Sequence, residues 1–230
     1  MPEALTTQPR RMPQVKICGL TRPDEAFHCA RLGAAAIGLV FYPPSPRFVT
    51  AAQALEISRR LPPGVTPVGV FVNPDLDEVQ SAVQDCGLGA VQLHGQEPPA
   101  MVAALRRSGL LVIKALFIDG RPALNAAPDY PASAFLVECA GGRLPGGNAR
   151  QWRWEQAAGA AGQAPLIVAG GLTLGNVFRA ATSSGADALD VSSGVETCPG
   201  RKSLARVAAL MAQVRRIRSP HPLRPVFGGD

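Results

Sequence analysis

Gln14-Val15-Lys16-Ile17-Cys18-Gly19-Leu20-Thr21-Arg22-Pro23 is a short apolar-rich strand running straight into the start of a helix. Thr21 is placed to cap that helix and Pro23 suits its first turn. The turn between them lacks the G-x-G-x-x-G pattern that an open, doubly wound nucleotide-binding sheet carries at this point. The same strand-then-helix rhythm continues outward from it. Strands are predicted at 36–41, 67–72, 89–93, 111–116, 134–137, 166–169 and 188–191. Helices are predicted after each: from Thr50 to Leu61, from the Asn73 turn to Cys86, 97–108, a weaker stretch at 121–127, 152–161, 176–184 and 202–217. Strictly alternating units make the strands parallel, because each helix supplies the crossover. Eight such units predict an α/β fold, a single closed (β/α)8 TIM barrel over residues 14–217. Residues 1–13 read as a flexible extension, and 218–230 as a basic, Pro-rich tail exposed to solvent.

The chain has 230 residues, 47% hydrophobic and 17% charged, a balance that excludes a disordered polymer. Its net charge of +6 sits mostly at the ends, on Arg10 and Arg11 and on Arg215, Arg216, Arg218 and Arg224. A nucleic-acid binder concentrates cations on a face of the folded body, so no nucleic-acid partner is expected. No apolar run reaches membrane-spanning length and no secretory leader opens the sequence, which predicts a cytoplasmic protein with no membrane association. Five cysteines without a C-x-x-C pair argue against a disulfide framework or a metal site.

Barrel active sites lie at the C-terminal ends of the strands, and strand alternation sorts which residues reach them. Val15 and Ile17 face the outer helices, so Lys16 and Cys18 point inward. By the same parity Gln92 and His94 point inward, and Glu138 ends strand six on the Leu136 face. Asn73, Lys114 and Asp190 also fall in or just past strands. His94 reads equally as a backbone-bonded strand end or as a ligand of the substrate. Lys16 with Asp190, or Lys114 with an acid, read as internal ion pairs. Gly170-Gly171 after strand seven and Ser193-Gly194 after strand eight form turns in which backbone amides can approach an anion. Their position is the usual phosphate site of this barrel, which predicts a phosphorylated small-molecule ligand. In the stiff segment Pro43-Pro44-Ser45-Pro46-Arg47, the guanidinium suits a carboxylate or phosphate, or else lies solvated at the surface.

Several runs, in order, resemble the phosphoribosylanthranilate isomerase family. They are Lys16-Ile17-Cys18-Gly19-Leu20-Thr21, Gly38-Leu39-Val40-Phe41-Tyr42-Pro43 with Ser45-Pro46-Arg47, and Gly69-Val70-Phe71-Val72-Asn73. Further on come Gln92-Leu93-His94-Gly95, Ala169-Gly170-Gly171-Leu172 with Asn176-Val177, and Asp190-Val191-Ser192-Ser193-Gly194-Val195-Glu196 with Pro199-Gly200. The resemblance implies an Amadori rearrangement of N-(5-phosphoribosyl)anthranilate in tryptophan biosynthesis, by general acid/base catalysis without cofactor or metal. It implies Cys18 as the base, Arg47 on the anthranilate carboxylate, and the loops after strands seven and eight on the phosphate. Glu138 stands where the family usually has an Asp, and Ala149 replaces a glycine in the loop that follows. Taken as the acid, Glu138 carries an extra methylene, and a shift of about 1 Å can cost on the order of a hundredfold in rate. The alternative reading is a non-catalytic or altered-specificity phosphosugar-binding barrel. A histidine-pathway aldose–ketose isomerase fits less well, since strands one and five do not both end in carboxylates. The assembly is left open between monomer and homodimer.

Overall fold

The computed structural model describes residues 12–140 and 150–228. Eight parallel strands close into a barrel in sequence order. They are β1 (Gln14–Cys18), β2 (Ala36–Val40), β3 (Thr66–Phe71), β4 (Ala90–Leu93), β5 (Leu111–Phe117), β6 (Ala134–Glu138), β7 (Leu166–Val168) and β8 (Ala188–Val191). β1 pairs with β8 through Lys16 opposite Asp190, which shuts the ring. Outside lie α1 (Pro23–Arg31), α2 (Ala51–Arg60), α3 (Leu76–Cys86), α4 (Pro99–Arg107), α5 (Val177–Ser184) and α6 (Leu204–Val214).

The alternation expected along each strand is what builds the two cores. Val15, Ile17, Val91, Leu93, Phe135 and Val137 pack outward in the layer shared with the helices. Small residues fill the bore: Ala36, Val68, Ala90, Ala134 and Ala188 line its floor half with Ile113 and Ile167. Branched residues outside and small ones inside let the strands close while the helices bury a continuous apolar shell.

Side-chain caps hold the starts of two of the six described α-helices, α2 and α6. Thr50 and Gln53 form a reciprocal capping box on α2. Thr21 does not cap α1, as its position had suggested; its hydroxyl donates to the Gly200 carbonyl at 2.8 Å and ties the first turn to the end of the barrel.

Two of the eight predicted helices are absent. After β5 and β6 the chain makes 3-10 turns, Leu124–Asp129 and Trp154–Ala157. Pro122, Pro128 and Pro131 interrupt the first segment. Gly159 and Gly162, both at positive φ, interrupt the second. An antiparallel hairpin after β8, β9 (Glu196–Cys198) with β10 (Arg201–Lys202), was not anticipated.

The C-terminal tail is not a solvated extension. Phe227 is 1% exposed and sits with Val226 in the barrel floor. The Gln14 side chain accepts from the amides of Val226 and Phe227 at 2.7 and 3.0 Å and donates to the Phe227 carbonyl at 2.5 Å. Arg224 donates to Asp187 through Nη2 at 2.7 Å and through its backbone amide at 2.7 Å. Proline and arginine content suggested solvation, but the few apolar residues among them supply what an alanine-lined floor lacks, a large side chain to fill it. Residues 1–11, most of the predicted N-terminal extension, lie outside the described residues, as does Ala149.

Candidate active site

At the C-terminal end of the barrel a cavity is lined by Cys18, Arg47, His94, Glu138, Gly170, Gly171 and Ser193, together with Gln92, Asp190 and Ser192. Cys18 ends β1 and Glu138 ends β6, so strands that are not neighbours deliver the two groups to one space. The Cys18 thiol lies over β2 at Gly38, where a Cβ would come within 2.7 Å of Sγ. Only a glycine leaves that seat open.

Electrostatics at Cys18 run against an easily formed thiolate. Burial pushes the thiol above its ordinary range, and the Lys16 ammonium pulls it back only in part. Lys16 is itself fully buried and bonded to Asp190 at 3.0 Å. Burial disfavours its charge, yet Asp190 and Cys18 together hold it above the usual lysine range.

Glu138 is held by a chain of side chains. Its Oε1 lies 2.8 Å from His94 Nε2, and His94 Nδ1 lies 2.9 Å from Gln92 Nε2. With the amide donating to Nδ1, Nε2 carries the ring proton and donates to the carboxylate. Gln92 Oε1 is buried and has no partner among the described residues. Turned over, the amide would accept from Nδ1–H, and Nε2 would accept a hydrogen bond from the carboxyl O–H of Glu138. Both nitrogens of His94 are engaged by protein, and the ring lines the cavity beside Glu138.

Arg47 is not a solvated surface arginine. It is 7% exposed and grips Glu196 through Nε at 2.8 Å and Nη2 at 2.7 Å. This bidentate bond raises its basicity further. Burial opposes the charge of Glu196, but Arg47 and Lys202 hold its carboxyl below the usual range.

Gly170 and Gly171 have φ of +83° and +64°, the left-handed region that favours glycine. The returning segment packs close across both: a Cβ on Gly170 would lie 2.8 Å from Trp152 Nε1, and one on Gly171 2.7 Å from the Arg150 carbonyl. Ser193 opens a 3-10 turn, Ser193–Val195, at the cavity wall. Gly194 is not among the lining residues; it lets the β8 loop pack against the Leu172 backbone.

Two expected contributors lie elsewhere. Lys114 points outward, because Ile113, Ala115 and Phe117 take the bore-facing parity of β5. Its ammonium bonds Glu97 at 2.8 Å and the Gly95 carbonyl at 2.8 Å. Asn73, at φ +49°, receives the Gln96 amide and gives its own to Glu97. Both brace the ends of β3 and β4.

This geometry agrees with what the chain is similar to. The family described as N-(5'phosphoribosyl)anthranilate (PRA) isomerase matches residues 15–213. The chain belongs to that family.

Among curated relatives, the N-(5'-phosphoribosyl)anthranilate isomerase of Desulfatibacillum aliphaticivorans is 47% identical over 214 residues, 93% of this chain and 98% of the relative. That of Citrifermentans bemidjiense is 42% identical over 206 residues, 90% and 98% of the two chains. The crystal structure of the Thermotoga maritima enzyme superposes with a TM-score of 0.80 at 33% identity, covering 89% of this chain and 99% of that one. Another solved isomerase, in complex with reduced 1-(o-carboxyphenylamino)-1-deoxyribulose 5-phosphate, gives 0.77 at 32% identity with the same coverage. The protein is accordingly a phosphoribosylanthranilate isomerase-family enzyme of tryptophan biosynthesis with the barrel fold of its relatives. No observation favours the non-catalytic alternative.

Within the family frame, the sequence reading missed Lys202 and the partnership of Glu196 with Arg47. Glu196 lies inside the matched Ser-Gly-Val-Glu run, but nothing local shows that the following hairpin folds it back onto a residue 149 positions earlier. No described helix is long and apolar enough to cross a membrane.

Proposed function

We propose that Cys18 is the general base and Glu138 the general acid of the isomerisation of N-(5'-phosphoribosyl)anthranilate. The observation that carries this reading is the meeting of the β1 thiol and the β6 carboxyl in one cavity. Glu138 protonates the furanose ring oxygen, and the ring C–O bond breaks to leave an iminium at C1. Cys18 then removes the C2 proton, and the electron pair of that bond forms the C1–C2 double bond of an enolamine. Loss of the C2 hydroxyl proton and protonation of C1 give the 1-amino-1-deoxyketose. The scheme calls for no cofactor or metal. His94 occupies one oxygen of Glu138, leaving the other for the sugar.

Gly170, Gly171 and Ser193 bind the phosphate, with Gly194 shaping that turn. Arg47 binds the anthranilate carboxylate: Glu196 takes two of the five guanidinium N–H donors, and the rest stay available. His94 binds substrate through the ring it presents to the cavity while its Nε2 holds Glu138.

Glu138→Gln keeps the size of the side chain and removes its proton. Its kcat should fall by about 10²- to 10⁴-fold with little change in KM, followed as loss of anthranilate fluorescence. Turnover near the parent rate would place the acid elsewhere.

We also assign the protein to the cytoplasm, on the five cysteines that all remain free. The domain is taken as residues 14–217 with the tail as its floor plug. Its partner is a small phosphoribosyl molecule, not nucleic acid or membrane, and the assembly is a monomer or homodimer.

A further inference from the structure

Near Cys18 stand Lys16 on β1, Arg47 in the loop after β2, Asp190 on β8 and Lys202 on β10, with Glu196 on β9 bonded to Arg47 and Lys202; β2 itself presents Gly38. Across the cavity stand His94 and Glu138. Lys16 is matched by Asp190. Glu196 must serve two cations: its Oε1 accepts from Lys202 Nζ at 2.6 Å and Arg47 Nε at 2.8 Å, and also from the Gly200 amide at 3.2 Å. Three cations against two carboxylates leave one positive charge unmatched, in a cluster whose five members are nearly all buried; the adjoining Glu25, which accepts from the Lys202 amide at 2.9 Å, is matched by Arg201 at 2.9 Å.

A net charge held out of water is costly unless an opposite charge comes to it. The structure points to where that charge forms. Lys202 Nζ lies 3.3 Å from Ser192 Oγ, and that hydroxyl donates to the Cys18 carbonyl at 2.9 Å, so a single residue separates the ammonium from the cysteine. Lys202 is otherwise unused by the acid/base scheme.

We infer that Lys202 is a positioning residue for catalysis: it supplies the surplus charge that stabilises Cys18 as a thiolate, leaving the cluster neutral when the base is ready to act. The inference rests on the reading of Cys18 as the base. Burial raises the proton affinity of Cys18 most; Lys16 lowers it, Asp190 raises it, and Lys202 adds a smaller lowering to that of Lys16.

The test reads the thiol directly, in the full-length protein carrying Cys198→Ser so that the exposed thiol is removed. Iodoacetamide alkylation of Cys18 is followed by peptide mass between about pH 6 and 10, because the thiolate is the reacting form. Lys202→Met should move the alkylation profile to higher pH by about one unit, slowing the reaction about tenfold at neutral pH. Lys202→Arg should restore it. Glu196→Gln, which leaves two cations unmatched, should shift the profile the opposite way. The rising limb of kcat against pH should follow these shifts. An unmoved alkylation profile in Lys202→Met, or no downward shift in Glu196→Gln, overturns the inference, and the second variant decides if the first does not fold. Should the profiles shift while kcat against pH stays put, Lys202 tunes the thiol but the reading of Cys18 as base fails, and with it the catalytic role of Lys202.

Discussion

Cys18→Ala should lower kcat by about 10³-fold while leaving a folded protein. The thiol is the only group proposed to take the C2 proton, and alanine can take none. The parent residue is packed over Gly38 with 9% exposure, so the change removes a single sulfur and leaves a small void beside the cavity. Such a truncation costs about 1 kcal/mol, which for a barrel of this size lowers Tm by about 2–4 °C. KM should hardly move, because the anionic ends of the substrate are bound by other residues. Steady-state kinetics and a thermal melt on the same sample separate the two effects. Turnover at the parent rate would remove Cys18 from the chemistry.

Phe227→Ala should be the most destabilising single substitution in the tail and should spare catalysis. The ring packs in the floor of the bore among Ala36, Ala90, Ala134 and Ala188, with Ile113 and Ile167. Truncating a buried phenylalanine costs about 3–5 kcal/mol, so Tm should fall by roughly 10 °C. The loss would loosen Gln14 as well, whose amide is bonded to the backbone of Val226 and Phe227. The catalytic groups lie at the other end of the barrel, so kcat measured well below the transition should match the parent. An unchanged melting temperature would mean that the tail does not plug the floor.

Much of the barrel was legible because its rules are local and periodic. Apolar runs separated by helix signals give the strand count, and alternation along QVKIC or VQLH says which side chains enter the bore. Cys18, Gln92, His94 and Glu138 could be oriented on that basis. Lys114 could not: on β5 both parities are apolar apart from the lysine, so alternation assigned it no face, and Ile113, Ala115 and Phe117 take the bore. The helices after β5 and β6 were misread for a related reason. Weak helical character competes there with prolines and glycines, and which prevails depends on the packing around them.

The sequence by itself determined the strand order, the faces of the strands and the family, since each follows from residue types at fixed spacing. Tertiary structure alone decided the partners of the charged groups. Arg47 found Glu196, His94 found Glu138, and Gln14 found the tail, across separations of 44 to 213 residues. Hydrogen bonds and buried charges are settled by proximity in space, and a chain read in order carries no record of which distant residues closure of the barrel will bring together.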